Sequence, residues 1–126
     1  RYILDHYQKH KLIINHNLFQ GISYLKSLQY LDIGENQVED VPEGLLQNCP
    51  DLKLIELKMN PIRTIHPDAF INLPNLQKLV ISEARTVSQF PNLNGTEKLE
   101  SIRFDRSQIR TIPQEICHHS PRIRSL

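Results

Sequence analysis

Apolar residues return along this chain in one template. Leu28-Leu31-Ile33, Leu52-Ile55-Leu57, Leu76-Leu79-Ile81 and Leu99-Ile102-Phe104 all read L-x-x-L-x-L. Their first leucines stand 24, 24 and 23 residues apart, and Ile123 and Leu126 begin a further copy. Within each template the last two apolar positions alternate with a polar or variable one, as in Leu31-Asp32-Ile33. That alternation predicts a short strand with one face buried and the other wet. Downstream of each strand come an apolar residue, a Val-Pro, Phe-Pro or Ile-Pro step in three of the four units, and further apolar residues that predict a second packed side.

A period of this length, opened by L-x-x-L-x-L, is that of the leucine-rich repeat, in which each unit is too small to close a core alone and stacks on its neighbours. The expected fold is therefore α/β: a curved solenoid with short parallel strands on the concave face and irregular or 3-10 segments on the convex side. The expected organisation is one segment, residues 1–126. It divides into a degenerate repeat at 1–27, repeats at 28–51, 52–75, 76–98 and 99–122, and the start of another at 123–126. Phe19-Gln20-Gly21-Ile22 resembles the convex part of a preceding unit, but lies nine residues before Leu28 where Phe70 lies six before Leu76. The end falls in mid-repeat, so the sequence is read as an excerpt of a longer protein.

Two departures from strict repetition stand out. The ninth position reads Asn36, Asn60, Ala84, Ser107. An asparagine there carries both donors and an acceptor for neighbouring backbone groups, alanine carries neither, and serine only part of that capacity. A structural ladder of Asn36 and Asn60 is expected to stop after Asn60. The third unit has one extra residue between Ala84 and Phe90 and a short convex stretch, Pro91 to Thr96, so curvature or twist should change near residues 82–98. Ordinary decay of the repeat is the plainer account. Cys49 and Cys117 lie three repeats apart, roughly 14 Å at a strand spacing near 4.8 Å. That exceeds the reach of a disulfide, and both are expected to be small core fillers on the side that packs against neighbouring repeats.

Charge narrows function by elimination. Lys and Arg number 15 and Asp and Glu 14, for a net charge of +1. This balance gives no reason to expect nucleic acid or an anionic membrane surface as partner. No apolar run approaches the roughly 20 residues of a membrane span, and the start lacks the apolar core of a secretory signal. The glycines are isolated, so there is no phosphate loop. His6 with His10, and Cys117-His118-His119, supply at best part of a metal site, since zinc needs three or four converging ligands. No orienting acid or oxyanion donor accompanies Cys117. The expectation is no enzyme, no catalytic residues, no cofactor and no metal. Asn94-Gly95-Thr96 is an acceptor triplet for N-glycosylation on the predicted convex side.

The residues between the leucines should point to the concave surface. Their columns read Asp32, Glu56, Val80, Arg103; Gly34, Lys58, Ser82, Asp105; and Glu35, Met59, Glu83, Arg106. Acidic residues dominate the start and arginines the end. Such a gradient could orient a charged protein ligand, which makes Asp32, Glu35, Glu56, Lys58, Val80, Glu83, Arg103, Asp105 and Arg106 the candidate ligand-binding residues. A merely soluble strand face is the plainer alternative.

The aligned units also resemble a known family. His66-Pro67-Asp68-Ala69-Phe70-Ile71-Asn72-Leu73-Pro74-Asn75-Leu76 is similar to the 24-residue repeat of extracellular leucine-rich proteins. The stretches Phe90-Pro91-Asn92-Leu93-Asn94-Gly95-Thr96 through Ile102, and Gln108-Ile109-Arg110-Thr111-Ile112-Pro113-Gln114-Glu115-Ile116-Cys117, resemble the ectodomain of leucine-rich-repeat G-protein-coupled receptors. The branch they resemble is the one that includes the R-spondin receptors and the arthropod bursicon receptor. The specific match covers residues 66–126, and Arg103, Asp105 and Arg106 depart from the more neutral residues expected there. The resemblance implies an extracellular segment that binds a secreted protein ligand, R-spondin-like or a cystine-knot hormone. It would be held at the outer side of the plasma membrane through another part of the parent receptor. A matrix or adhesion protein with the same repeats and no signalling role is the alternative.

Overall fold

The computed structural model describes the backbone of residues 3–5 and, in full, residues 26–34 and 37–125. Five strands form one parallel sheet: β1 (Ile3–Asp5), β2 (Tyr30–Asp32), β4 (Leu54–Leu57), β6 (Lys78–Ser82) and β7 (Ser101–Asp105). They are adjacent in chain order. A second, two-stranded parallel sheet pairs β3 (Asp40–Val41) with β5 (Thr64–Ile65). This is a leucine-rich repeat solenoid with its strands on the concave side, and its fold class is as the period predicts.

Register follows the template. Leu31, Ile55, Leu79 and Ile102 are sheet neighbours in turn, as are Leu57, Ile81 and Phe104. Leu28, Leu52, Leu76 and Leu99 are each fully buried. One fully buried aliphatic side chain contributes roughly 1.5–3 kcal/mol, and here each column repeats that gain at every turn of the chain. Backbone bonds repeat with it: Lys53 N–H donates to Gln29 O, Gln77 to Lys53, Glu100 to Gln77 and Arg124 to Glu100, at 2.7–2.9 Å. Ser125 makes a parallel bridge to Ser101, so the ladder continues past the fourth unit.

The far side is built of turns. At each unit boundary the N–H of the opening apolar residue donates to a carbonyl three residues back: Leu52 to Cys49, Leu76 to Leu73, Leu99 to Thr96 and Ile123 to Ser120. Those acceptors define a buried column of Cys49, Leu73, Thr96 and Ser120, all at most 2% exposed. One short helix, α1 (Ile116–His119), lies in the fourth unit. It corrects the expectation for Cys117. Cys49 is buried as expected, but Cys117 is exposed. Successive helical residues turn by about 100°, so Ile116 and Ser120 share the inward face and Cys117 rotates off it.

Asn60 does what its position predicts. Fully buried, it donates through Nδ2 to Ile33 O, Leu57 O and Lys58 O and accepts from Val38 N–H, at 3.1–3.2 Å, tying the second unit to the first. Ala84 fills the next place in the column, buried and without a polar side chain. Among the described residues, Ser107 Oγ accepts only from Ile109 N–H, at 3.3 Å and within its own unit. Asn36 lies outside the described residues, as does Glu35.

Candidate ligand-facing surface

Side chains alternate across a strand, so the third, fifth and seventh positions of each unit share the wet face of the sheet. The fifth-position column is held in register as Asp32, Glu56, Val80 and Arg103, and Ser82 stands beside Asp105. The eighth position has a feature of its own. Met59, Glu83 and Arg106 all adopt left-handed backbone, with φ of 60°, 65° and 58°. Three non-glycine residues repeat the same uncommon conformation because the chain must leave the strand at the same place in every unit. Two further bonds brace this bend: Met59 N–H donates to Ser82 Oγ at 2.9 Å and Glu83 N–H to Asp105 O at 3.2 Å.

Several charges on this face are paired. Lys58 meets Glu56 at 3.1 Å, Arg103 meets Asp105 at 2.9 Å, and Glu83 holds both Arg85 at 2.8 Å and Arg106 at 3.3 Å. Asp32 accepts from Gly34 N–H. The expected gradient from acid to base is therefore reduced at its basic end: Arg103 has its own carboxylate in Asp105, while Arg106 shares the one carboxylate of Glu83 with Arg85. The pairs are lopsided in exposure, however. The arginine side chains are 61–65% exposed, while Glu83 is 24% and Asp105 41% exposed. The carboxylates sit lower and the guanidinium groups form the outer layer.

Val80 is a second correction. It occupies the predicted column but is only 1% exposed. It is a short β-branched side chain on an inner strand, flanked in register by Glu56 and Arg103. A ligand on this face would meet its neighbours before it. Tyr30 and Leu54, register partners at the third position, were not among the candidates drawn from the sequence. Tyr30 is 38% exposed, and Met59 at the opposite edge is 57% exposed. Period two in Tyr30-Asp32-Gly34 is the signal that places Tyr30 on the same face. The surface thus combines apolar edges on the first two units with an arginine layer on the last two.

Off the sheet, Glu43, His66 and Asp68 bring potential ligand atoms within 4.8 Å of one another. His66 Nδ1 accepts from Asp68 N–H at 3.0 Å. In the neutral ring that fixes the proton on Nε2, which faces Glu43 at 3.8 Å. Asp68 N–H and His66 Nδ1 close a local hydrogen-bonded turn here. Burial pushes the Cys49 thiol pKa upward, which makes it a poor nucleophile.

Comparison with known proteins agrees with this architecture. Residues 26–84 match the leucine rich repeat family. Leucine-rich repeat-containing G-protein coupled receptor 4 of Rattus norvegicus is 37% identical over 107 residues, covering 85% of this chain and 11% of that protein. Receptor 6 of Homo sapiens is 34% identical over 106 residues, 84% of this chain and 11% of the receptor. Receptor 5 of Xenopus tropicalis is 32% identical over 106 residues, 84% of this chain and 12% of the receptor. The chain spans about a tenth of the length of these relatives.

Proposed function

Since the chain is a leucine-rich repeat segment related to the leucine-rich repeat-containing G-protein coupled receptors, we propose that it is part of an extracellular receptor ectodomain and contacts a secreted protein ligand through its sheet face. The observation that carries the proposal is the make-up of that face. Tyr30 and Met59 leave large apolar surface exposed, and Arg85, Arg103 and Arg106 stand above their carboxylate partners. Aromatic residues, methionine and arginine are the types enriched at protein interfaces. Ligands of the R-spondin or cystine-knot hormone type are the partners this reading implies, and no step of it involves covalent chemistry.

The test is binding of the secreted parent ectodomain to a panel of R-spondins and cystine-knot hormones. Tyr30→Ala and Met59→Ala should weaken a bound ligand by about tenfold each, the loss of one anchor of about 1.4 kcal/mol. Gln114→Ala, on the opposite side, should leave binding unchanged. Loss of binding only with Gln114→Ala would move the ligand to the other side. A parent chain that is secreted without a membrane anchor would favour the matrix reading.

A further inference from the structure

Asn94-Gly95-Thr96 is the only N-x-Ser/Thr triplet in the sequence with an x other than proline. The structure treats its three residues very differently. Asn94 is exposed. Its backbone is held on both sides: the N–H donates to Asn92 Oδ1 at 3.0 Å, and the carbonyl accepts from Asn72 N–H at 2.8 Å. Its side-chain amide has no hydrogen-bond partner among the described residues. Neighbouring asparagines are engaged, Asn92 by Asp68 and Asn75 by Pro50 O. Gly95 has φ of +85°, and a Cβ there would come within 2.7 Å of Asn72 Oδ1. Thr96 is fully buried. Its hydroxyl donates to Leu93 O at 2.6 Å and lies 2.7 Å from Ser120 Oγ. Since a hydroxyl has one proton, Ser120 must donate to Thr96.

We infer that Asn94 is an N-glycosylation site that can be filled only before the third repeat closes onto the fourth. The inference rests on the extracellular reading above, because only a translocated chain meets the transferase. The hydroxyl residue is part of the acceptor triplet, and here it is locked between Leu93 and Ser120 once residues 99–120 have folded. Transfer forms a bond from Asn94 Nδ2 to the anomeric carbon of a lipid diphosphate-linked oligosaccharide. The carbon–oxygen bond to the diphosphate breaks, the lipid diphosphate leaves, and the amide nitrogen loses one proton. After folding, the sugar stands on the side away from the sheet face. It lies two residues from Asn92, which with Pro67, Phe90, Pro91, Pro113 and Ile116 lines an apolar groove of about 230 Å³.

To separate this inference from the extracellular reading, the chain is fused to a foreign secretion signal and made in a eukaryotic secretory host. Translocation is then forced whatever the parent does. Intact mass, read on both medium and cell-retained material, should show one glycosidase-sensitive glycan. Asn94→Gln should remove it and Thr96→Ser should keep it. A bare Asn94 in translocated chain overturns the inference and leaves the receptor reading standing. Order is tested in vitro with purified oligosaccharyltransferase and its lipid-linked donor. A peptide of residues 88–102 should be modified at least tenfold faster than the folded, unglycosylated chain; equal rates would overturn the claim that folding closes the site.

Discussion

Asn60 shows how one side chain can serve two repeats. Its two amide N–H groups are shared among three carbonyls and its oxygen accepts one N–H, with Ile33 and Val38 in the unit before its own. Asn60→Ala should destabilise the chain by about 1–3 kcal/mol, because buried backbone groups lose their partner. Ser107→Ala, at the same position two units on, should cost under about 0.5 kcal/mol, since a half-exposed 3.3 Å bond can be replaced by water. Denaturant melts of the two variants check the contrast. The cysteines offer a second residue-level test: in native chain Cys117 should react rapidly with a thiol reagent and Cys49 should not until the chain unfolds. Two fast thiols would mean that the first repeat opens readily. Asn60 is legible from sequence because its ninth position and its hydrogen-bonding capacity both point to the backbone. Cys117 is not, because its burial depends on helix phase, and a single turn of helix announces itself by no period of its own.

At the scale of the element, the repeat dictates backbone as well as burial. Met59, Glu83 and Arg106 leave their strands in left-handed conformation, which costs an ordinary residue about 1 kcal/mol. Met59→Gly should therefore be tolerated or slightly stabilising. Met59→Val should lose about 1 kcal/mol or more, since a β-branched residue fits this region worst. Thermal midpoints of both variants decide it, and a Val variant equal to the parent would mean that the bend relaxes. The third and fourth units depart from their predecessors on the other side, where Thr96 and Ser120 continue the buried column of Cys49 and Leu73 with hydroxyls. Thr96→Val keeps the shape but strands Ser120 without its acceptor. A loss of about 1–3 kcal/mol is expected, and Thr96→Val with Ser120→Ala should recover part of it. The strand template reads directly from sequence because its alternation is the physical cause of the strand. The hydroxyl pair does not: Thr96 and Ser120 fall into one column only after the short convex stretch of the third unit is aligned, and composition alone marks both as surface residues.

Across the whole molecule, the sheet face carries two neutral pairs, Glu56–Lys58 and Arg103–Asp105, and one carboxylate shared by two arginines, on a scaffold whose strands are in register. Sequence columns locate Arg103, Asp105, Arg106 and Glu83 correctly on that face. What they do not reveal is which acid meets which base, because a column lists neighbours without their rotamers. The observed pairing changes the expected electrostatics. Exposed ion pairs contribute little to stability, about 0–1 kcal/mol, so the arginines are free to be exchanged for ligand contacts at small cost to the fold. Removing both arginines is a different matter for association. It leaves Glu83 with Arg85 alone and Asp105 without Arg103, a change of two charges in the outer layer. Arg103→Ala/Arg106→Ala should slow binding of an acidic ligand surface several-fold at low salt, and the difference should shrink at high salt as charges are screened. Arg103→Ala/Asp105→Ala deletes a whole pair at constant net charge and should change the association rate little. Association rates for both variants and the parent at two ionic strengths provide the check. Equal effects of the two double variants would show that Arg103 acts through contact rather than through charge. No effect of either would place the ligand on repeats beyond these.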